Sequence, residues 1–260
     1  MAHAPSGAVP NPNEAGKFEL QEQSYEFPYH YLADLEANGA IRTHRELAWG
    51  LTYMTYMSFV VGLVRELRPE SLLDVGCGDG RLIHLVRTFV PRTAGVDPSA
   101  RAIAFARAFN PEAELFAGDV AQIKAQYDVV TAVEVLEHVP DAEIPAFVSH
   151  LFRCTRPGGA VLISVPTLNR PVRKKHYRHY DLALLAQTLN PHGEIEKYRW
   201  LFRPGLGVRL IGAALSNRLF LLKPPALRRL LWRLHRATSY FADARTGTHL
   251  VALARHRRSG

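Results

Sequence analysis

Glu134-Val135-Leu136-Glu137-His138 places two carboxylates and an imidazole within five residues. On a helical turn Glu134, Glu137 and His138 share a face through i, i+3 and i+4 spacing. That donor set suits a divalent cation such as Mg2+. A fourth donor is at hand in Lys174-Lys175-His176-Tyr177-Arg178-His179-Tyr180, from His179 or alternatively His176. The same groups have a metal-free use, with Glu134 and His138 or His176 taking a proton from an acceptor. Such help is worth roughly 10²–10⁴ in rate. The third reading is structural, with the histidine packing or capping.

A second constellation is Leu72–Leu82, LLDVGCGDGRL. An apolar run meets Gly76, Gly78 and Gly80, and an amphipathic run, Leu82 to Val90, follows at once. That order reads as strand, glycine turn and helix, the place where a parallel α/β sheet brings backbone to a ligand. Glycines suit such a turn because a Cβ would clash with a ligand lying on it and because some positions need positive φ. The spacing is G-x-G-x-G, not the G-x-G-x-x-G of dinucleotide sites, and no Gly-Lys-Ser/Thr follows as in Walker-type phosphate loops.

Five ordered blocks, LLDVGCGDGRL, AGVDPS, FAGDV, YDVVTAVEVLEHVP and LFRCTRPGGAVLISVP, resemble the class I S-adenosylmethionine-dependent methyltransferases. The resemblance covers about Ser71–Pro166. It implies S-adenosyl-L-methionine as cofactor, held by Asp74, Gly76, Cys77, Gly78 and Gly80 around the methionine portion. Asp97, with Pro98 beside it, would bind the ribose hydroxyls, Asp119 with Val120 the adenine, and Glu134 also faces the cofactor. Asp residues at such places also serve as helix caps or turn residues. E-x-x-E-H with a later histidine resembles the metal site of the RNA 3′-end 2′-O-methyltransferases and, in part, that of the ubiquinone-pathway O-methyltransferases.

The elements that must position these groups read in order. Leu47–Val64 carries eighteen residues without a charge. That is the lower edge of membrane-span length, and the expectation is a buried helix capping a sheet. Strands are expected at Ser71–Val75, Arg92–Asp97, Glu114–Val120, Tyr127–Glu134 and Ala160–Pro166, with helices at Pro98–Phe109 and Asp141–Cys154. A turn is expected at Arg156–Gly159. Later come a helix at Asp181–Leu189 and strands at Glu194–Phe202 and Thr248–Arg255. The alternation argues for a doubly wound parallel sheet. With the resemblance it implies an α/β, Rossmann-like, mostly parallel seven-stranded sheet with helices on both faces and a helical insertion before the last strand.

The expected organisation is a tail over 1–16, an N-terminal helical cap over 17–70, a methyltransferase core over 71–203, an insertion over 204–241, and a last strand with a basic tail over 242–260. Phe27–Leu32 is an aromatic cluster that packs on the domain or lines a pocket mouth. In the insertion, Leu227, Leu230, Leu231 and Leu234 form a helical stripe with Arg228, Arg229, Arg233 and Arg236 off it. Such a helix, with Trp232, suits an anionic membrane surface, and equally one that packs its leucines on its own domain.

At 260 residues, 47% apolar and 22% charged, the chain can bury a sizeable core. A formal net charge of +8 draws attention to anionic partners. Cys77 and Cys154 form no disulfide framework or zinc pattern, so the expectation is the cytoplasm, with peripheral contact at the inner membrane face. The leading functional expectation is O-methylation of a hydroxyl on a natural-product, glycan or lipid-linked acceptor. The alternatives are an RNA ribose 2′-O-methyltransferase using the basic patch Arg170–Arg178, with Tyr177 to stack on a base, and a non-catalytic S-adenosylmethionine-binding regulator.

Overall fold

Every residue of the apolar run Ser71–Val75 is buried, as expected of a strand covered on both faces. The computed structural model describes residues 16, 19–20, 34–35, 41–42, 47–217 and 222–256. Residues 1–15, the aromatic cluster Phe27–Leu32 and the basic end 257–260 lie outside the described residues. Among these, α1 (Leu47–Leu67) leads into β1 (Ser71–Val75), α2 (Arg81–Val86), β2 (Arg92–Asp97), α3 (Ala100–Phe109) and β3 (Glu114–Ala117). Then follow β4 (Tyr127–Val133), α4 (Ile144–Arg153), β5 (Thr155–Pro166), α5 (Leu182–Leu189) and β6 (Gly193–Leu201). The chain closes with α6 (Leu206–Leu215), α7 (Pro225–Thr238) and β7 (His249–His256).

These seven strands form one sheet in the order β3-β2-β1-β4-β5-β7-β6, and a separate antiparallel pair joins Asp34–Leu35 to Ile41–Arg42. β1 to β5 run parallel, and β7 runs antiparallel to both β5 and β6. β6 therefore points the same way as β1, and its end at Leu201 lies on the carboxyl edge with the glycine turn. One face of the sheet packs Val148, Leu151, Phe152 and Leu185 from α4 and α5. The other packs Tyr56, Met57, Val60 and Val64 of α1 with Leu82 and Val86 of α2. The uncharged Leu47–Val64 run is thus a sheet-covering helix. No helix among the described residues is long and apolar enough to cross a membrane.

Several boundaries move for identifiable reasons. Pro98 is not in the first turn of α3: Ser99 is the N-cap, its Oγ accepting from Ala102 N at 3.1 Å. β3 stops at Ala117, because Asp119 caps a short 3₁₀ turn at Val120–Gln122. Arg156–Gly159, expected as a turn, is a bulge inside the bounds of β5: Thr155 pairs with Tyr127 and Ala160 with Val129, and Gly158 between them has φ 78°. The helix after the glycine turn has only six residues and ends before Phe89 and Val90.

The insertion is a pair of packed helices at the carboxyl edge. Phe202, Val208 and Ile211 gather on Leu51 of α1, with Leu231 and Trp232 against them. Trp232 points inward, its ring 5.3 Å from His235 and 6.1 Å from Tyr240. His235 is buried, and its Nε2 lies 2.8 Å from Thr55 Oγ1.

Candidate active site

The glycine turn wraps the end of β2. Gly76 N and Cys77 N both donate to Val96 O, at 2.8 and 3.2 Å. Gly76, Gly78 and Gly80 have φ of 68°, 52° and 75°, a region that disfavours any residue with a Cβ. The crowding at the first and last of them comes from the protein itself. A Cβ on Gly76 would stand 2.5 Å from Val135, and one on Gly80 2.7 Å from Asn110 Nδ2. The ligand-clash rationale is therefore replaced, at these two positions, by packing. The contact with Val135 also sets the Glu134–His138 segment directly against the turn.

Asp97 reaches the turn from β2. Its Oδ2 accepts from Gly78 N and its Oδ1 from Ser99 N, both at 2.9 Å. Each carboxylate oxygen has a second lone pair, so ribose hydroxyls can still be received. Asp119 uses Oδ1 to cap Ala121 N at 2.6 Å and is exposed, with Val120 buried beside it. Pro98 is exposed. Asp74 does not face the turn as a ligand: it is buried and accepts from Thr131 Oγ1 at 2.7 Å, linking β1 to β4. Burial, opposed by the Thr131 hydrogen bond and reinforced by Asp97 and Asp79, raises its pKa to about 7. Cys77 turns its thiol into the packing with Ile83 and Ile103, leaving only backbone for a ligand. A backbone-lined turn with Asp97 and Asp119 beside it, and Asp74 buried behind it, fits a cationic ligand bearing hydroxyls, as S-adenosyl-L-methionine is.

The E-x-x-E-H segment divides. Only Leu136–His138 makes a turn, and it is 3₁₀, so Glu134 does not share a helical face with Glu137 and His138. Glu134 sits at φ 58°, a strained conformation for a non-glycine residue. Its Oε1 accepts from Ser164 Oγ at 2.6 Å, and its Oε2 lies 3.4 Å from His249 Nε2. Burial acts to raise this carboxyl, but His249, Ser164 and Arg170 outweigh it and hold it below its ordinary range.

Glu137, His138 and His176 converge, with one ligand atom from each within 4.8 Å of the others. Glu137 is buried and its Oε2 has no hydrogen-bond partner; burial first, then Glu134, drives its pKa well up. His138 Nδ1 faces Lys175 O at 3.0 Å, so that nitrogen carries a proton, and Nε2 lies 4.0 Å from Glu137 Oε1. His179 Nδ1 faces the carbonyls of Thr167 and Arg170, both at 3.1 Å, so its Nε2 accepts from His176 Nδ1 at 2.9 Å. His176 is thereby held by His179, and its ring stands edge-on to that of His138 with centroids 4.8 Å apart. Burial, with His138 and His179 nearby, pushes its pKa down to about 3 and keeps the ring neutral. His179 is thus a positioning residue behind His176, not the fourth member expected of it. Tyr177 N donates to Glu137 O at 2.7 Å, clipping the loop to the turn.

Sequence reasoning missed His249, Ser164 and Tyr56, and named Arg170 only as part of a basic patch. Arg170 Nη1 lies 3.0 Å from His249 Nε2, and the Tyr56 ring packs on His249 with centroids 4.9 Å apart. The one signal was a histidine opening an otherwise apolar last strand.

A family described as a methyltransferase domain matches residues 52–204. With the strand order and the glycine turn, this places the chain in that family, as a class I S-adenosylmethionine-dependent methyltransferase domain. Among its relatives, a probable S-adenosylmethionine-dependent methyltransferase of Mycolicibacterium smegmatis is 31% identical over 162 residues, covering 58% of this chain and 62% of that protein. A ubiquinone biosynthesis O-methyltransferase of Hydrogenovibrio crunogenus is 35% identical over 137 residues, covering 48% of this chain and 53% of that one. The chain therefore spans less than two thirds of either relative. In fold, it superposes on magnesium protoporphyrin IX methyltransferase from Synechocystis with bound S-adenosylmethionine, with a TM-score of 0.57 and 16% identity over 98% of this chain and all of that one.

Proposed function

We propose that the chain transfers the methyl group of S-adenosyl-L-methionine to a hydroxyl of a lipid-linked or otherwise apolar small-molecule acceptor. The observation that carries this reading is the convergence of Glu137, His138 and His176 beside a segment whose Val135 packs on Gly76. Groups that activate a hydroxyl are thereby adjacent to the turn that would hold a methyl donor. The ubiquinone biosynthesis O-methyltransferase relatives support oxygen as the accepting atom. Tyr53 and Tyr56 of α1, and the leucine-rich insertion at the same edge, support an apolar acceptor.

When bound, the cofactor supplies an electrophilic methyl on a sulfonium and leaves as a neutral thioether. Asp97 and the close approach that the glycine turn allows orient it, and positioning in such reactions can be worth about 7–11 kcal/mol. The acceptor oxygen forms the new C–O bond as the C–S bond breaks, with the bonding pair going to sulfur. The hydroxyl proton must go to a group at this edge. Glu137, His138 and His176 fit a divalent cation, since two imidazoles converge there with a buried carboxylate oxygen that has no hydrogen-bond partner. Held there, a cation would lower the pKa of the hydroxyl. Glu134, fixed by Ser164 and His249, orients the acceptor from the other side.

The test is mass-spectrometric detection of S-adenosylhomocysteine and methylated product with hydroxylated lipid-linked, phenolic and RNA acceptors. Product from the first two supports the reading; product from RNA alone overturns it. Activity unchanged by EDTA would remove the cation and leave His138 or His176 as the proton acceptor.

A further inference from the structure

Residues 201–242 contain eight Lys and Arg and no Asp or Glu. Their charge equals the +8 of the whole chain, so the remainder is balanced. This segment leaves β6 and returns to β7 at the carboxyl edge, and most of it is α6 and α7.

The two helices spend only one face on the domain. Val208 and Ile211 of α6, with Leu231, Trp232 and His235 of α7, turn inward. The opposite faces hold large apolar side chains in water. Leu227, Leu230 and Leu234 are 48%, 60% and 49% exposed, and Leu206 and Leu210 are 71% and 61% exposed. Spacings of i, i+3 and i+7 on α7 and i, i+4 on α6 align each set into a row. Arg229 and Arg233, both exposed, flank the α7 row, and Arg228 and Arg236 extend the basic surface. No acidic residue in the segment pairs with them.

We propose that α6 and α7 dock on the surface of an anionic lipid bilayer, with the leucine rows entering the headgroup–acyl boundary and the arginines meeting lipid phosphates. An exposed leucine row bordered by arginines is the pattern of a helix lying in a membrane interface. A nucleic acid would engage the arginines and leave the leucines in water. A second copy of the chain would set one +8 surface against another. Docking turns the carboxyl edge, with the glycine turn and the Glu137 cluster, toward the membrane. The inference does not depend on which acceptor is methylated.

The test is co-sedimentation of the full chain with phosphatidylcholine vesicles and with mixed phosphatidylcholine–phosphatidylglycerol vesicles. Binding should be roughly tenfold or more stronger on the anionic vesicles and should fall as salt rises. Leu230→Asp with Leu234→Asp, and separately Leu206→Asp with Leu210→Asp, should each reduce it roughly tenfold or more, about one buried leucine's worth. Unchanged S-adenosylmethionine binding will show that the variants fold. Arg229→Gln with Arg233→Gln should remove most of the preference for anionic lipid. The proposal is overturned by equal affinity for both vesicle types, by leucine variants that bind as well as the parent, by RNA binding without vesicle binding, or by a dimer that the same leucine substitutions dissolve.

Discussion

The two sides of the carboxyl edge are assembled over different distances along the chain. Around the glycine turn, Asp97 reaches Gly78 across nineteen residues and Ser99 across two, and Asp119 reaches Ala121 across two. On the acceptor side, His138 meets Lys175 across 37 residues, Glu134 meets Ser164 across 30, and Arg170 meets His249 across 79. The cofactor side is a local βαβ device that any chain with this turn and these strand ends would build. The acceptor side exists only once β5 lies beside β4 and β7 beside β5. This separation suits a family in which the methyl donor is constant and the acceptor varies.

If the division is right, substitutions on the two sides should fail differently. The largest effect belongs to Glu137→Gln and His176→Ala, which should lower turnover by roughly 10²–10⁴ with S-adenosylmethionine affinity, read by calorimetry, unchanged. Loss of that affinity in either variant would break the comparison. Asp97→Ala is the converse case. It strands the Gly78 and Ser99 amides and removes a charged acceptor worth about 1.5–3 kcal/mol per hydrogen bond. It should weaken cofactor binding roughly 10–100-fold, while turnover at saturating cofactor largely survives.

A smaller effect is pH-dependent. The folded pKa of Asp74, about 7, is raised above its unfolded value. The stability it contributes is therefore fully present below the unfolded pKa and lost as pH rises through about 7. A sulfonium cation favours the ionised carboxylate, so S-adenosylmethionine should bind more weakly below about pH 7, by up to roughly tenfold per unit. S-adenosylhomocysteine, without the sulfonium charge, should show a flatter profile. Calorimetric titration of both ligands across this range checks the difference, and Thr131→Val, which removes the hydrogen bond favouring ionisation, should move the midpoint up.

The smallest effect probes the insertion. Thr55→Val removes the partner of His235 Nε2, whose Nδ1 already has none. It should cost about 1 kcal/mol, seen as a lower melting temperature with cofactor affinity retained.

Much of the fold was legible from local pattern. β1 and β2 fall where the apolar runs and the glycine turn place them, and α5 begins at Leu182 because Asp181 caps it, accepting from Leu184 N. That Arg156–Gly159 falls inside the bounds of β5 was not legible, although Pro-Gly-Gly rightly marks a break there: pairing with β4 skips from Thr155 to Ala160, and Gly158 has φ 78°. Nor was the division of Glu134 from Glu137: a helical spacing rule presumes a helix, and the chain makes a 3₁₀ turn there. The leucine stripe of α7 was visible from its spacing, but not that Leu231 faces inward while Leu227, Leu230 and Leu234 face out. Periodicity names the rows of a helix and not which row the domain covers.

Sequence alone determined the glycine turn, the acids at the strand ends and the family they mark, because those features follow from φ preference, strand burial and caps acting over a few residues. Only tertiary structure decided which ring nitrogens of His138 and His179 face carbonyls, that His179 stands behind His176, and that His249 closes on Glu134. Those outcomes depend on carbonyls and side chains brought together by sheet order, which no local preference encodes.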